Sequence, residues 1–112
     1  MMTNCTYPTV YTTLGSQALI TFDLGRRLSG DTVLTGTPSA IDADSTGEAA
    51  VTNAQINTVG DSDIDLEVGK AVQFLISTTA TKETTYKVKV TATTNSTPQE
   101  TLVDTLYVTF TA

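Results

Sequence analysis

Histidine and tryptophan are absent from this chain, and cysteine occurs once, at Cys5. Each absence removes a class of activity. Without histidine, neither a Ser-His nor a Cys-His nucleophilic pair can be built. A lone cysteine allows no internal disulfide, so packing alone must hold the fold, as in proteins made in a reducing cytoplasm. Cys5 has no basic residue beside it to stabilise a thiolate and reads as unreactive. With no tryptophan, and with Tyr7, Tyr11, Tyr86 and Tyr107 scattered, there is no stacking platform for a sugar. Basic residues are few: six against twelve acids, for a net charge of −6 and a pI near 4.2. The largest basic run is Arg26-Arg27, and an acidic surface of this kind repels phosphate backbones, so no nucleic-acid partner is expected.

Long apolar runs are missing as well. Nothing approaches the roughly 18 consecutive apolar residues that span a bilayer, so no membrane partner is expected. The opening "MMTNCTYPTVYTT" has neither the basic start nor the apolar stretch of a signal peptide, and synthesis in the cytoplasm without export is expected. The glycosylation-like triplets "NCT" at Asn4 and "NST" at Asn95 are then read as coincidence. Glycine-rich phosphate loops are also lacking. No catalytic residue and no cofactor is expected.

What the chain does have is threonine, at about a fifth of its 112 residues, well above ordinary usage. Threonine is β-branched and suits a pleated, half-wet surface better than a helix. Hydrophobic residues make up 39% and charged ones 16%, a globular rather than a disordered composition. The length fits a single domain over residues 1–112, with residues 1–15 read as an extended N-terminal arm.

Period-two alternation carries the fold. In "TYKVKVTA", Tyr86, Val88, Val90 and Ala92 share one face, and Lys87, Lys89 and Thr91 the other. "TLVDTLYVTF" puts Leu102, Leu106, Val108 and Phe110 inward, and Thr105, Tyr107 and Thr109 outward. The polar "TTNSTPQE" between them reads as a hairpin loop. "SQALITFDL" points Ala18, Ile20, Phe22 and Leu24 inward, and "AVQFLIS" does so with Val72, Phe74 and Ile76. "DIDLEV" reads as a strand with Ile64, Leu66 and Val68 on one side and Asp63, Asp65 and Glu67 in a row on the other. Weaker strands are "TVYTT", "DTVLTGT" and "AVTNAQINT". Turn-rich gaps fall at "LGS", "LSGD", "TPSAIDADSTGE", "VGDSD" and "EVGK", and "LGRRLSGD" reads as one helical turn at most.

Seven to eight short antiparallel strands at this spacing predict an all-β, immunoglobulin-like sandwich without a disulfide. Tyr86, opening the penultimate strand after a tight polar turn, stands where that architecture places its tyrosine corner. The expected core is Ile20, Phe22, Phe74, Ile76, Val88, Val90, Leu106, Val108 and Phe110.

Two acidic stretches invite a metal reading. "DADSTGEAAVTN" has acids at its first and third positions, threonine at the fifth and glycine at the sixth, like the front half of a calcium loop. Its twelfth position is Asn53 instead of a bidentate glutamate. The acids of "DSDIDLE" alternate along a strand and would not converge. No metal site is expected. Surface for partners remains, and strand parity locates it. Leu19 and Leu75 fall where the alternation calls for polar residues, on the second and fifth strands, which are neighbours in an immunoglobulin-like order. Val103 and Tyr107 do the same on the final strand, in the other sheet. These four are the candidate interface residues.

The layout resembles a known family. The start, "YPTVYTTLGSQALITFDLGRRLSGDTV", joins a Tyr-Pro opening and a Gly-Ser turn to a strand ending in Phe-Asp and a short turn closing on Gly-Asp-Thr. The end, "VQFLISTTATKETTYKVKVTATTN…LVDTLYVTF", runs from a strand through a threonine-rich corner to "TTY" and the last hairpin. Both are similar to small immunoglobulin-like virion proteins of tailed bacteriophages, in particular the fibre–tail adaptors. Residues 40–68 have no counterpart in that pattern. The resemblance implies a structural protein of the virion, present in several copies, docking on the neck, tail or baseplate and linking fibres to it. Its partners would be other virion proteins, and its site of synthesis the cytoplasm of the bacterial host. A capsid decoration protein is the alternative within that class. A secreted adhesion or carbohydrate-binding module is the rival from another, disfavoured by the scattered aromatics and the lack of an export signal.

Overall fold

The computed structural model describes residues 8–112. Cys5, Tyr7 and the triplet at Asn4 lie outside the described residues. Seven strands follow in chain order: β1 (Thr9–Thr13), β2 (Ala18–Asp23), β3 (Leu34–Asp42), β4 (Ala49–Ile56), β5 (Ala71–Thr78), β6 (Thr84–Thr94) and β7 (Thr101–Thr111). They form a four-stranded sheet in the order β1-β7-β6-β3 and a three-stranded sheet in the order β2-β5-β4. Named by chain position, the second, fifth and fourth strands make one sheet, and the third, sixth and seventh the other. That is the immunoglobulin-like arrangement, with β1 running parallel to β7. Residues 9–13 of the expected N-terminal arm are therefore a paired strand.

The alternation read from the sequence sets which side chains enter the space between the sheets. Ile20 on β2, Val72, Phe74 and Ile76 on β5, Val88 and Val90 on β6, and Leu106, Val108 and Phe110 on β7 are buried in one cluster. Phe22 departs from the expectation. It is half-buried and packs against the edge of that cluster, while Ile20 on the same edge strand is buried.

Two segments depart further. "TPSAID", read as part of a gap, is the second half of β3, pairing Ser39–Asp42 with β6 across a register shift that begins after Thr35. Gly36 makes that shift affordable at φ 74°, where a Cβ would be strained. Pro38 falls inside the irregularity, where no ladder donor is required of it. "DIDLEV", read as a strand, is instead a short 3-10 turn at Ser62–Ile64 inside a loop closed by paired backbone bonds between Asp61 and Leu66. Only Leu66 of its three apolar residues is buried, while Ile64 and Val68 face solvent. The row of acids is not a strand row either, since Asp65 takes a left-handed conformation at φ 55°. Alternation of aliphatic with acidic residues is common to both geometries. What decides between them is Asn57, fully buried below the loop.

Asn57 holds both ends of that loop. Its Oδ1 accepts hydrogen bonds from the backbone N–H groups of Gly69, Lys70 and Ala71 at 3.0–3.1 Å. Its Nδ2 donates to the carbonyls of Val59 and Glu67 at 3.1 and 2.9 Å. A buried polar side chain is tolerated only when so satisfied. Here it substitutes for the ladder that the segment lacks.

Tyr86, the third residue of β6, is buried edge-on against Phe110 with ring centroids 5.8 Å apart. Its hydroxyl meets the Thr78 hydroxyl and donates to Glu48 Oε1 at 3.1 Å, so it ties the corner between β5 and β6 to the start of β4. Burial raises its pKa above the usual 10.0, and Glu48 and Asp42 push the same way against the Thr78 bond. The folded state thus holds this proton more tightly than the unfolded chain. The resulting stability is complete below about pH 10 and is lost as pH rises through the higher folded value. The melting temperature of the parent is expected to fall more steeply above pH 10 than that of Tyr86→Phe, which has no proton to lose. Parallel curves for the two proteins would show that this hydroxyl does not titrate out of the fold.

Candidate functional site

The three-stranded sheet turns its outer face to solvent, and its register brings the two parity-breaking leucines together. Leu19 on β2 is the direct cross-strand partner of Leu75 on β5, and Leu75 in turn faces Thr52 on β4. Opposed side chains in such a pair stand about 5 Å apart at Cβ and form one surface. Leu19 is 61% exposed, and Leu75 is half-buried between its neighbours. Thr21, Gln73, Ser77 and Ala50 surround them, with Gln73 Nε2 donating to Thr21 Oγ1 at 3.1 Å. The one charged outward position in these strands is Asp23, at the end of β2, and its carboxylate accepts from the Gly25 N–H at 2.8 Å. An apolar pair in an uncharged, hydrogen-bonded setting is the composition that protein interfaces favour at their centres.

Val103 and Tyr107 lie in the other sheet. Both point outward from β7, opposite Thr91 and Lys87 of β6. Val103 is 48% exposed and Tyr107 half-buried. The structure therefore separates the four candidate residues into two pairs, one on each outer face of the sandwich. The register adds residues that strand parity alone missed. Ile41, outward on β3 and 51% exposed, stands beside Lys89 of β6, and Tyr11 stands beside Thr109 of β7. The parity of "SAID" would have pointed Ile41 out had that segment been read as a strand.

The loop over residues 42–48 shows why its calcium-like spacing is used otherwise. Asp42 spends its carboxylate on the loop itself, accepting from the Asp44 N–H at 3.2 Å, the Thr46 N–H at 3.0 Å and the Thr46 hydroxyl. Partial burial works to raise the pKa of Asp42. The Thr46 and Asp44 bonds outweigh it and hold the group below the usual carboxylate value. The carboxylate is thus a turn-closing group already engaged by donors. Among the described residues, no three histidines, cysteines or acids gather in a metal-binding arrangement. A cleft of about 350 Å³ opens beside the loop that Asn57 holds, lined by Asp23, Arg26, Ile64, Asp65, Glu67 and Lys70. Its lysine is held by Glu67 at 2.7 Å and by the Gly30 carbonyl at 2.9 Å.

Fold and faces together define a disulfide-free, immunoglobulin-like domain whose distinctive surfaces are flat sheet faces. No helix among the described residues is long and apolar enough to cross a membrane. No family model, curated protein or solved structure matches the chain.

Proposed function

We propose that this domain is a non-enzymatic structural component of a phage virion, a multicopy module that docks on the neck, tail or baseplate and links fibres to it. The observation that carries the docking reading is the Leu19–Leu75 pair, opposed across β2 and β5 on an outer face whose single strand charge is turned into the adjoining loop. The resemblance of the two ends of the chain to the fibre–tail adaptors supplies the setting. The sandwich suits the role physically. Its core is closed by side chains from both sheets, so either outer face is a rigid platform that loses little conformational freedom on binding. The threonines covering the rest of the wall keep it hydrated and strand-forming without making it adhesive.

The test is position. Electron microscopy of particles carrying a labelled copy of this chain is expected to show the label at one end of the particle. Label spread over the whole capsid would replace the adaptor reading with decoration. Particles without label would remove the chain from the virion altogether.

A further inference from the structure

The outer face of the four-stranded sheet carries charge of the opposite sign to the rest of the protein. The outward positions of β1, β7, β6 and β3 hold two charged residues, Lys87 and Lys89, and no carboxylate, although acids outnumber bases twelve to six in the chain. Ile41 flanks Lys89 on one side, and Val103 and Tyr11 add exposed apolar surface to the same face. At the end of the other sheet, the loop between β4 and β5 is its complement. Asp61, Asp63, Asp65 and Glu67 fall within seven residues, and Ile64 stands 65% exposed at the turn they surround. Lys70 offsets one of these charges by pairing with Glu67, and Asp61, Asp63 and Asp65 keep the loop negative. Asn57 fixes the loop from below, so it needs no ordering on contact.

We propose that the lysine-bearing face of the four-stranded sheet receives the acidic, isoleucine-tipped β4–β5 loop of a second copy of this chain. The carboxylates settle over Lys87 and Lys89, and Ile64 settles against Ile41. Charge complementarity selects a second copy as the occupant, because one molecule carries both halves of the contact. The halves are different surfaces, so each copy offers a free face and a free loop after pairing. Such a heterologous contact propagates into a ring or a row. The inference does not rest on the virion reading, and it leaves the Leu19–Leu75 face open for another partner.

Sedimentation velocity of the purified chain over a range of concentrations tests it. The parent is expected to associate beyond a dimer in about 0.05 M salt and to disperse in about 0.5 M, where charges are screened within a few ångströms. The double variants Lys87→Glu, Lys89→Glu and Asp63→Lys, Glu67→Lys should each self-associate at least about tenfold more weakly, since like charges then face each other. Mixing the two variants should restore association, because each again meets an opposite charge. Melting curves identify any variant that has lost its fold, and the milder pair Lys89→Gln and Asp63→Asn then takes its place. Three results would overturn the proposal. They are a parent that stays monomeric at millimolar concentration, association that survives both reversals, and a mixture no better associated than its parts. Association abolished by Leu19→Asp and indifferent to salt would instead assign self-contact to the three-stranded sheet.

Discussion

Asn57→Ala is expected to cost about 3–5 kcal/mol in urea-induced unfolding, since each buried group left without its partner costs ~1–3. The substitution withdraws the acceptor shared by the N–H groups of Gly69, Lys70 and Ala71 and the donors that hold the carbonyls of Val59 and Glu67. No strand ladder holds the apex of that loop, where the isolated Asp61–Leu66 bridge is the one pairing. The loss should therefore appear locally before it appears globally. Amide exchange at Asp61, Leu66 and Gly69 should accelerate under conditions where the β6–β7 amides remain protected. A loss below about 1 kcal/mol, with unchanged exchange at those amides, would mean that water replaces the side chain and that the loop does not depend on it.

Phe74→Ala should be comparably severe, at about 3–5 kcal/mol, because the ring is removed from a fully buried site on the central strand of the three-stranded sheet. Phe22→Ala is the informative comparison. The same chemistry at a half-buried edge position leaves a smaller cavity open to solvent, and a distinctly smaller loss is expected. Equal losses at the two sites would mean that β2 is covered in solution by something that this arrangement of strands does not provide.

These two residues also mark where the sequence could and could not be read. The inward side chains of β5, β6 and β7 follow from alternation because those strands are long, regular and flanked by clear turns. Phe22 obeys the same alternation, yet it stays half-buried where Ile20 on the same strand is covered, a difference set by the packing of the assembled sheets. The second half of β3 was hidden by its composition. Proline, serine and aspartate suggest a turn, and only the register shift after Gly36 shows how Pro38 fits between paired segments. The loop over residues 57–70 was hidden for the opposite reason. Its aliphatic and acidic residues alternate as a strand would, and the side chain that bends them lies outside the alternating run.

The candidate surfaces divide in the same way. Leu19 and Leu75 were visible because parity marks them and because strands two and five are neighbours in this architecture. The register adds that they are direct partners. The lysine face was half visible: Lys87 and Lys89 share a side of β6 by parity. Its apolar partners Ile41 and Tyr11 come from strands that join β6 and β7 only in the folded sheet.

The central claim is that the domain acts by docking through the outer face of its three-stranded sheet. Incorporation of the Leu19→Asp, Leu75→Ser double variant into particles, measured beside its melting curve, tests that claim most directly. Leu19 is largely exposed, and serine at half-buried Leu75 introduces no charge into the central strand. The fold should therefore survive with a loss of about 1 kcal/mol or less at the exposed site. Removing an interface anchor commonly costs 2 kcal/mol or more in binding, so the variant is expected to melt as a folded domain and yet be missing from the particles. A variant that folds normally and incorporates at the parent's level would contradict the account and move the docking surface off this face.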